Sequence, residues 1–156
     1  MKKLLFLLLA LLPICGMAQQ KKVASIEVLN ANPKFGGIVL GDYVTHYLTK
    51  LDLLEEKGGG VFKCEADRDE PTFRLGGVAP ISVYVQTEKH RIKNIYAAYP
   101  HGNADDLVNA LIKKYGKYSD FSDGSYNWYG KNVFVMTGKS GNNTSFVVYT
   151  YVVPMK

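Results

Sequence analysis

The chain has 156 residues, 47% of them hydrophobic and 21% charged, with a formal net charge of +5. That is one domain of ordinary size, with enough apolar residues to build a core of its own. The mild positive balance favours solubility, and no Lys/Arg run is dense enough for a nucleic-acid groove.

Residues 1–18 begin Met1-Lys2-Lys3, continue through an apolar run over residues 4–12, and close on Pro13-Ile14-Cys15-Gly16-Met17-Ala18. A positive start, a short apolar core and small residues at Gly16 and Ala18 are the three parts of a secretory signal peptide. The run is too short to cross a bilayer as a stable helix. The expectation is export, with cleavage after Ala18 and a single domain over residues 19–156, periplasmic or secreted. Cys15 carries a rival reading, in which lipid on that cysteine anchors an outer-membrane lipoprotein. Such sites have a small residue just before the cysteine, whereas Ile14 stands here, so simple cleavage is favoured. Attachment to a membrane is expected only if Cys15 is lipidated.

Beyond the signal, Cys64 is the one remaining cysteine, so no internal disulfide is expected. It lies in a strand-like stretch, Val61-Phe62-Lys63-Cys64-Glu65, and reads as a small buried hydrophobe.

In chain order, residues 23–29 alternate weakly and suggest an edge strand. Residues 30–34 form a turn cluster containing Pro33. Phe35-Gly36-Gly37-Ile38-Val39-Leu40-Gly41 leads to Asp42, a good N-cap. Val44, Tyr47, Leu48, Leu51 and Leu54 then recur at three- and four-residue steps, which predicts a helix ended by Gly58-Gly59-Gly60. A short strand over 61–65 and a charged loop over 66–71 follow. Ile81, Val83 and Val85 open a hairpin that turns near Glu88-Lys89-His90 and returns through Ile92 to Tyr99. Asn103 is placed to cap a second helix, with Asp105 and Asp106 at its positive end, an apolar stripe of Leu107, Val108, Leu111, Ile112 and Tyr115, and Gly116 as its stop. Residues 118–125 read as loop, and three strands, over 126–129, 132–137 and 144–153, finish the chain.

Hairpin-linked strands with connections too short for parallel crossovers define an α+β fold. The expected form is an antiparallel sheet with two helices on one face, built from tandem helix-plus-three-strand halves over about 35–99 and 100–153.

Catalytic and metal motifs are mostly excluded. Gly138-Lys139-Ser140 ends like a phosphate-binding loop, but Val133 stands where the pattern needs glycine, and a strand rather than a helix follows; it reads as a hairpin turn. No Gly-x-Ser-x-Gly elbow or Ser-x-x-Lys pair occurs. His46, His90 and His101 fit no metal spacing, so no metal and no cofactor is expected. Asp67, Asp69 and Glu70 share one loop rather than facing each other across a cleft.

The feature above background is aromatic. Tyr84, Tyr96, Tyr99, Tyr126, Tyr129, Tyr149, Tyr151 and Trp128 all fall on predicted strands. In the last strand, Phe146, Val148 and Val152 read as core, and Ser145, Tyr149 and Tyr151 as the opposite face. A tyrosine-rich face buries ring area while keeping its hydroxyls wet, which suits protein and sometimes sugar binding.

The order of helices and strands behind a signal peptide resembles the fold of the secreted β-lactamase-inhibitor proteins and of the small outer-membrane assembly lipoproteins. The stretch Phe35–Gly41 and the helix ending Leu111-Ile112-Lys113-Lys114-Tyr115-Gly116-Lys117 resemble those of small exported bacterial proteins of this kind. The resemblance implies binding across an aromatic, concave sheet, with Tyr84, Trp128, Tyr149 and Tyr151 as candidate contact residues. Two departures stand against it: the inhibitors carry disulfides, and the lipoproteins need a lipidated cysteine.

The function expected is therefore an exported, non-enzymatic binding module with a protein partner, or a glycan in its place, and no nucleic acid. The alternatives are a lipoprotein-like envelope component and a small hydrolase with an unrecognised site.

Overall fold

The computed structural model describes residues 26–31, 33–56, 59–64, 71–100, 102–141 and 144–154. The signal segment and the acidic loop at 67–70 lie outside the described residues. The chain is α+β and dominated by an antiparallel sheet. Helix α1 (Ile26–Ala31) is followed by a two-stranded ribbon, β1 (Lys34–Phe35) and β2 (Ile38–Val39), and by a 3₁₀ turn at Val44–Tyr47. Strands β3 (Leu51–Glu55), β4 (Val61–Cys64), β5 (Ser82–Glu88) and β6 (Arg91–Tyr99) form one meander. Helix α2 (Ala104–Tyr115) leads to a second, β7 (Asp120–Ser122), β8 (Ser125–Tyr129), β9 (Val133–Ser140) and β10 (Thr144–Tyr151). The eight strands run in the order β3-β4-β5-β6-β10-β9-β8-β7. The last strands of the two meanders therefore meet antiparallel at the centre, with Val147 opposite Ala97.

Several elements form as the local signals demand. The β5–β6 turn consists of Lys89 and His90, both with positive φ, the conformation a two-residue hairpin requires. Helix α2 has Asp105 and Asp106 in its first turn and Lys113 and Lys114 in its last, matching its macrodipole. At its C-terminus Gly116, at φ 83°, donates its N–H to the Ile112 carbonyl. Cys64 is buried on β4, as a small hydrophobe. Gly36, at φ 57°, lies against the Phe73 ring, where a Cβ would collide with it.

Four expectations are corrected. Residues 26–29 of the stretch expected to be an edge strand, with Asn30 and Ala31 of the expected turn cluster, form helix α1, because Leu29 is fully buried in the core and tertiary docking outweighs a weak alternation. The helix expected from Tyr43 to Leu54 is a single 3₁₀ turn followed by strand β3. Its supposed stripe is split: Val44 and Leu51 are buried, whereas Leu48 and Leu54 are each 55% exposed. Pairing of Leu51 with Cys64 and of Leu53 with Phe62 makes the glycine-rich segment a hairpin connection rather than a helix stop. The loop expected over 118–125 contains β7, which turns into β8 through Asp123 and Gly124, both at positive φ. Gly138, Lys139 and Ser140 are the end of β9 rather than the hairpin turn, which comes after them. Each half thus contributes four strands to the sheet, not three.

The core lies on one face of the sheet. Leu107, Leu111 and Tyr115 of α2 pack there, and α1 packs on α2. Phe35 of β1 stacks on Tyr149 at 5.1 Å between ring centroids, and Phe73 meets Phe35 edge-on at 5.5 Å. Tyr99 donates its hydroxyl hydrogen to the Phe73 carbonyl at 3.3 Å.

Candidate functional site: the open face of the sheet

Side chains of directly opposed residues share a face, so the register defines both surfaces. One row of the face away from α2 runs Tyr84, Tyr96, Val148, Met136 and Asn127 across β5, β6, β10, β9 and β8. The next runs Gln86, Asn94, Thr150, Phe134 and Tyr129, and a third Ser82, Ala98, Phe146, Gly138 and Ser125. From β5 to β9 these rows contain no Asp, Glu, Lys, Arg or His. Charge comes at the margins: Lys63 of β4 stands opposite Asp52 of β3, Asp120 of β7 opposite Asn127, and at the hairpin end of β5 and β6 Glu88 is in register with Arg91 and ion-paired with Lys93 at 3.4 Å.

The rings on this face touch one another. Tyr96 stacks with Phe146 at 6.2 Å and an interplanar angle of 17°, and Tyr84 lies 6.5 Å from Tyr96. Tyr129, 53% exposed, stacks on Phe134 at 5.3 Å. The amides of Asn94 and Gln86 are joined by a 2.7 Å hydrogen bond. At the β7 side, the Asn127 side-chain amide donates to Ser122, which donates to Asp120, while its Oδ1 is buried without a protein partner among the described residues.

Of the four expected contact residues, Tyr84 alone belongs to this face. Tyr149 and Trp128 are fully buried on the opposite one. Tyr149 lies between Phe35 and Tyr115, its hydroxyl 3.4 Å from that of Tyr115, and Trp128 donates its indole N–H to the Gly116 carbonyl at 2.9 Å. Burial, then the neighbouring Tyr115 and Tyr99, hold the Tyr149 phenol well above its ordinary pKa. Tyr151 is half-buried and opposite Val133 on the same covered face, with its ring against Gly41. The parity read from the last strand was therefore inverted: Ser145, Val147 and Tyr149 point into the core, and Phe146, Val148 and Thr150 onto the open face. Apolarity misled because both sets in β10 are largely apolar.

Of the other members, Tyr96 stands out in the sequence only as one of the strand aromatics, Phe146 and Val148 are expected there in the core, and Phe134 and Met136 are not singled out. The tight turn at Lys89-His90 aligns the two strands, but a bulge at Lys93 moves the register by one, and this places Tyr96 rather than Ile95 opposite Tyr84.

Two polar features lie elsewhere. Asp42 accepts from the Tyr47 hydroxyl at 2.9 Å and pairs with His46 Nδ1 at 3.0 Å. Burial alone would raise the Asp42 pKa; hydrogen bonds from His46, Tyr47 and the Tyr43 N–H outweigh it and hold the carboxyl below its ordinary value. A cavity of about 400 Å³ is lined by Leu53, Glu56, Gly59, Gly60, Phe62 and His90. Among the described residues, no three His, Cys, Asp or Glu side chains cluster as metal ligands, and no helix is long and apolar enough to cross a membrane.

Comparison with known proteins gives no matching family model, no matching curated protein and no matching solved structure.

Proposed function

We propose that the chain is an exported, non-enzymatic binding module whose working surface is the open sheet face centred on Tyr84, Tyr96, Phe146 and Val148. The observation that carries this reading is the one-sided construction of the fold. Helix α2, helix α1, the β1–β2 ribbon and Phe73 all pack on the Tyr149 face, and the other face keeps a half-buried, uncharged band of aromatic and aliphatic side chains. A contiguous apolar patch rimmed by polar residues is the common mark of an interaction site.

Export rests on the lysine start, apolar run and small residues of 1–18. The two-meander topology also supports a tandem origin for the halves, whereas kinship with the β-lactamase-inhibitor fold is proposed on the sequence resemblance alone.

The test is capture from envelope and secreted extracts with the immobilised exported protein, set against Tyr96→Lys and Val148→Lys variants. A ligand held by the native protein and lost by the folded variants supports the open face. Equal retention by all three overturns it. Mass spectrometry of the mature N-terminus separates free Gln19 from the alternative envelope component acylated on Cys15.

A further inference from the structure

We propose that the occupant of the open face is a second copy of this chain, packed face to face as a two-layered sheet sandwich. The inference rests on the binding reading above and names its partner. Three features converge on it.

The first is charge. The chain carries a formal net charge of +5, yet the three central rows from β5 to β9 hold no charged side chain, while Asp52, Lys63, Glu88, Lys93 and Asp120 lie around them. A partner recognised through ions would leave them opposite Tyr96, Val148 and Met136, desolvated and unpaired, which is costly. The occupant must itself be uncharged and apolar over a matching area. The same face on another copy meets that condition, and no like charges oppose each other at its centre.

The second is area. Eight strands at about 4.8 Å spacing, averaging roughly 18 Å in length, offer roughly 700 Å² of projected face. The uncharged band across β5, β6, β10 and β9 is its centre, and the outer strands with Asp52, Lys63 and Asp120 are the polar rim. A standard stable interface buries about 800 Å² of accessible surface per partner, and the relief of the side chains makes accessible area larger than its projection.

The third is symmetry. The face is centred on the antiparallel β6–β10 seam, with four strands on either side of its midline. An isologous contact places the same patch of both copies on a two-fold axis, and twisted sheets stack stably with their strands nearly aligned, about 10 Å apart. Val148, on a seam strand, lies near that axis and so faces its own counterpart.

The experiment is sedimentation equilibrium of the exported protein over a concentration series, with Val148→Lys and Val148→Glu studied singly and as an equimolar mixture, and circular dichroism to establish that each is folded. The native protein is expected to dimerise. Each single variant should weaken the dimer by about 30-fold or more, the loss typical of a central interface residue. The mixture should restore it, because lysine then faces glutamate. A native protein that stays monomeric throughout overturns the proposal, as do variants that dimerise like the native protein or a folded mixture that does not pair. Failure here is distinguishable from failure of the binding reading. A monomer that captures a different protein or a glycan, and loses it on Val148→Lys, removes the second copy and keeps the face.

Discussion

The Trp128 indole N–H is 2.9 Å from the Gly116 carbonyl oxygen, so a fully buried ring on β8 is fastened to the residue that ends α2. That bond settles Trp128 as a core residue and joins the second helix to its own meander. Trp128→Phe should keep most of the packing while leaving the carbonyl unsatisfied, at a cost of about 1–3 kcal/mol. Urea denaturation measures the loss, and binding through the open face should be unchanged in the folded variant.

The inverted parity of β10 gives a sharper contrast. Tyr149→Ala empties a core site between Phe35 and Tyr115 and should destabilise the fold by about 3–5 kcal/mol. Tyr84→Ala, on the open face, should cost about 1 kcal/mol or less. Comparable losses in the two denaturation midpoints would mean that the faces are misassigned.

Alkaline pH should act through the buried phenols. Burial raises the pKa of both Tyr99 and Tyr149 above the ordinary value of 10.0. Because the folded values lie above the unfolded one, the unfolded chain releases these protons first. Their contribution is complete below pH 10.0 and is lost as pH rises towards the folded values. Unfolding midpoints followed together with phenolate absorbance should fall in that range, and less steeply in Tyr149→Phe.

Acid acts in the opposite sense at Asp42, whose folded pKa is held below 3.8. Its contribution is present above pH 3.8 and disappears as pH falls through the lower, folded value. Asp42→Asn should flatten the acid limb of the stability curve. An unchanged limb would show that the bonds from His46 and Tyr47 add nothing to folding.

Gly36 is a test of packing rather than charge. At φ 57° against the Phe73 ring, it has neither the backbone freedom nor the space for a side chain. Gly36→Ala should cost more than about 1 kcal/mol, whereas Gly77→Ala, also at positive φ but with open space around it, carries the backbone strain alone.

What the sequence made legible was chiefly local. The β5–β6 hairpin and α2 announce themselves through a two-residue turn, end charges, an apolar stripe and a stop glycine. Asp123-Gly124 is an equally good hairpin signal and would have revealed β7. Residues 43–54 were harder, because leucines spaced for a helix also satisfy a short edge strand once Val61–Cys64 is there to pair with it. The candidate face was legible only in its aromatic character and in Tyr84. Its membership depends on whether Tyr149 or Phe146 points towards Phe35 and Tyr115, and that is decided by contacts across more than thirty positions of chain.

The seam between β6 and β10 also dictates an order of assembly. The first meander can form early, but its strand β6 keeps one edge open until β10, the last of the described strands, pairs beside it. The centre of the sheet is thus completed by contacts distant in sequence, such as Val147 with Ala97, and closure of such long loops slows folding. Until then a wide, apolar strand has unsatisfied backbone groups and invites wrong pairing. A chain cut before Thr144 would be trapped in that condition, with β6 and β9 both exposed along their length.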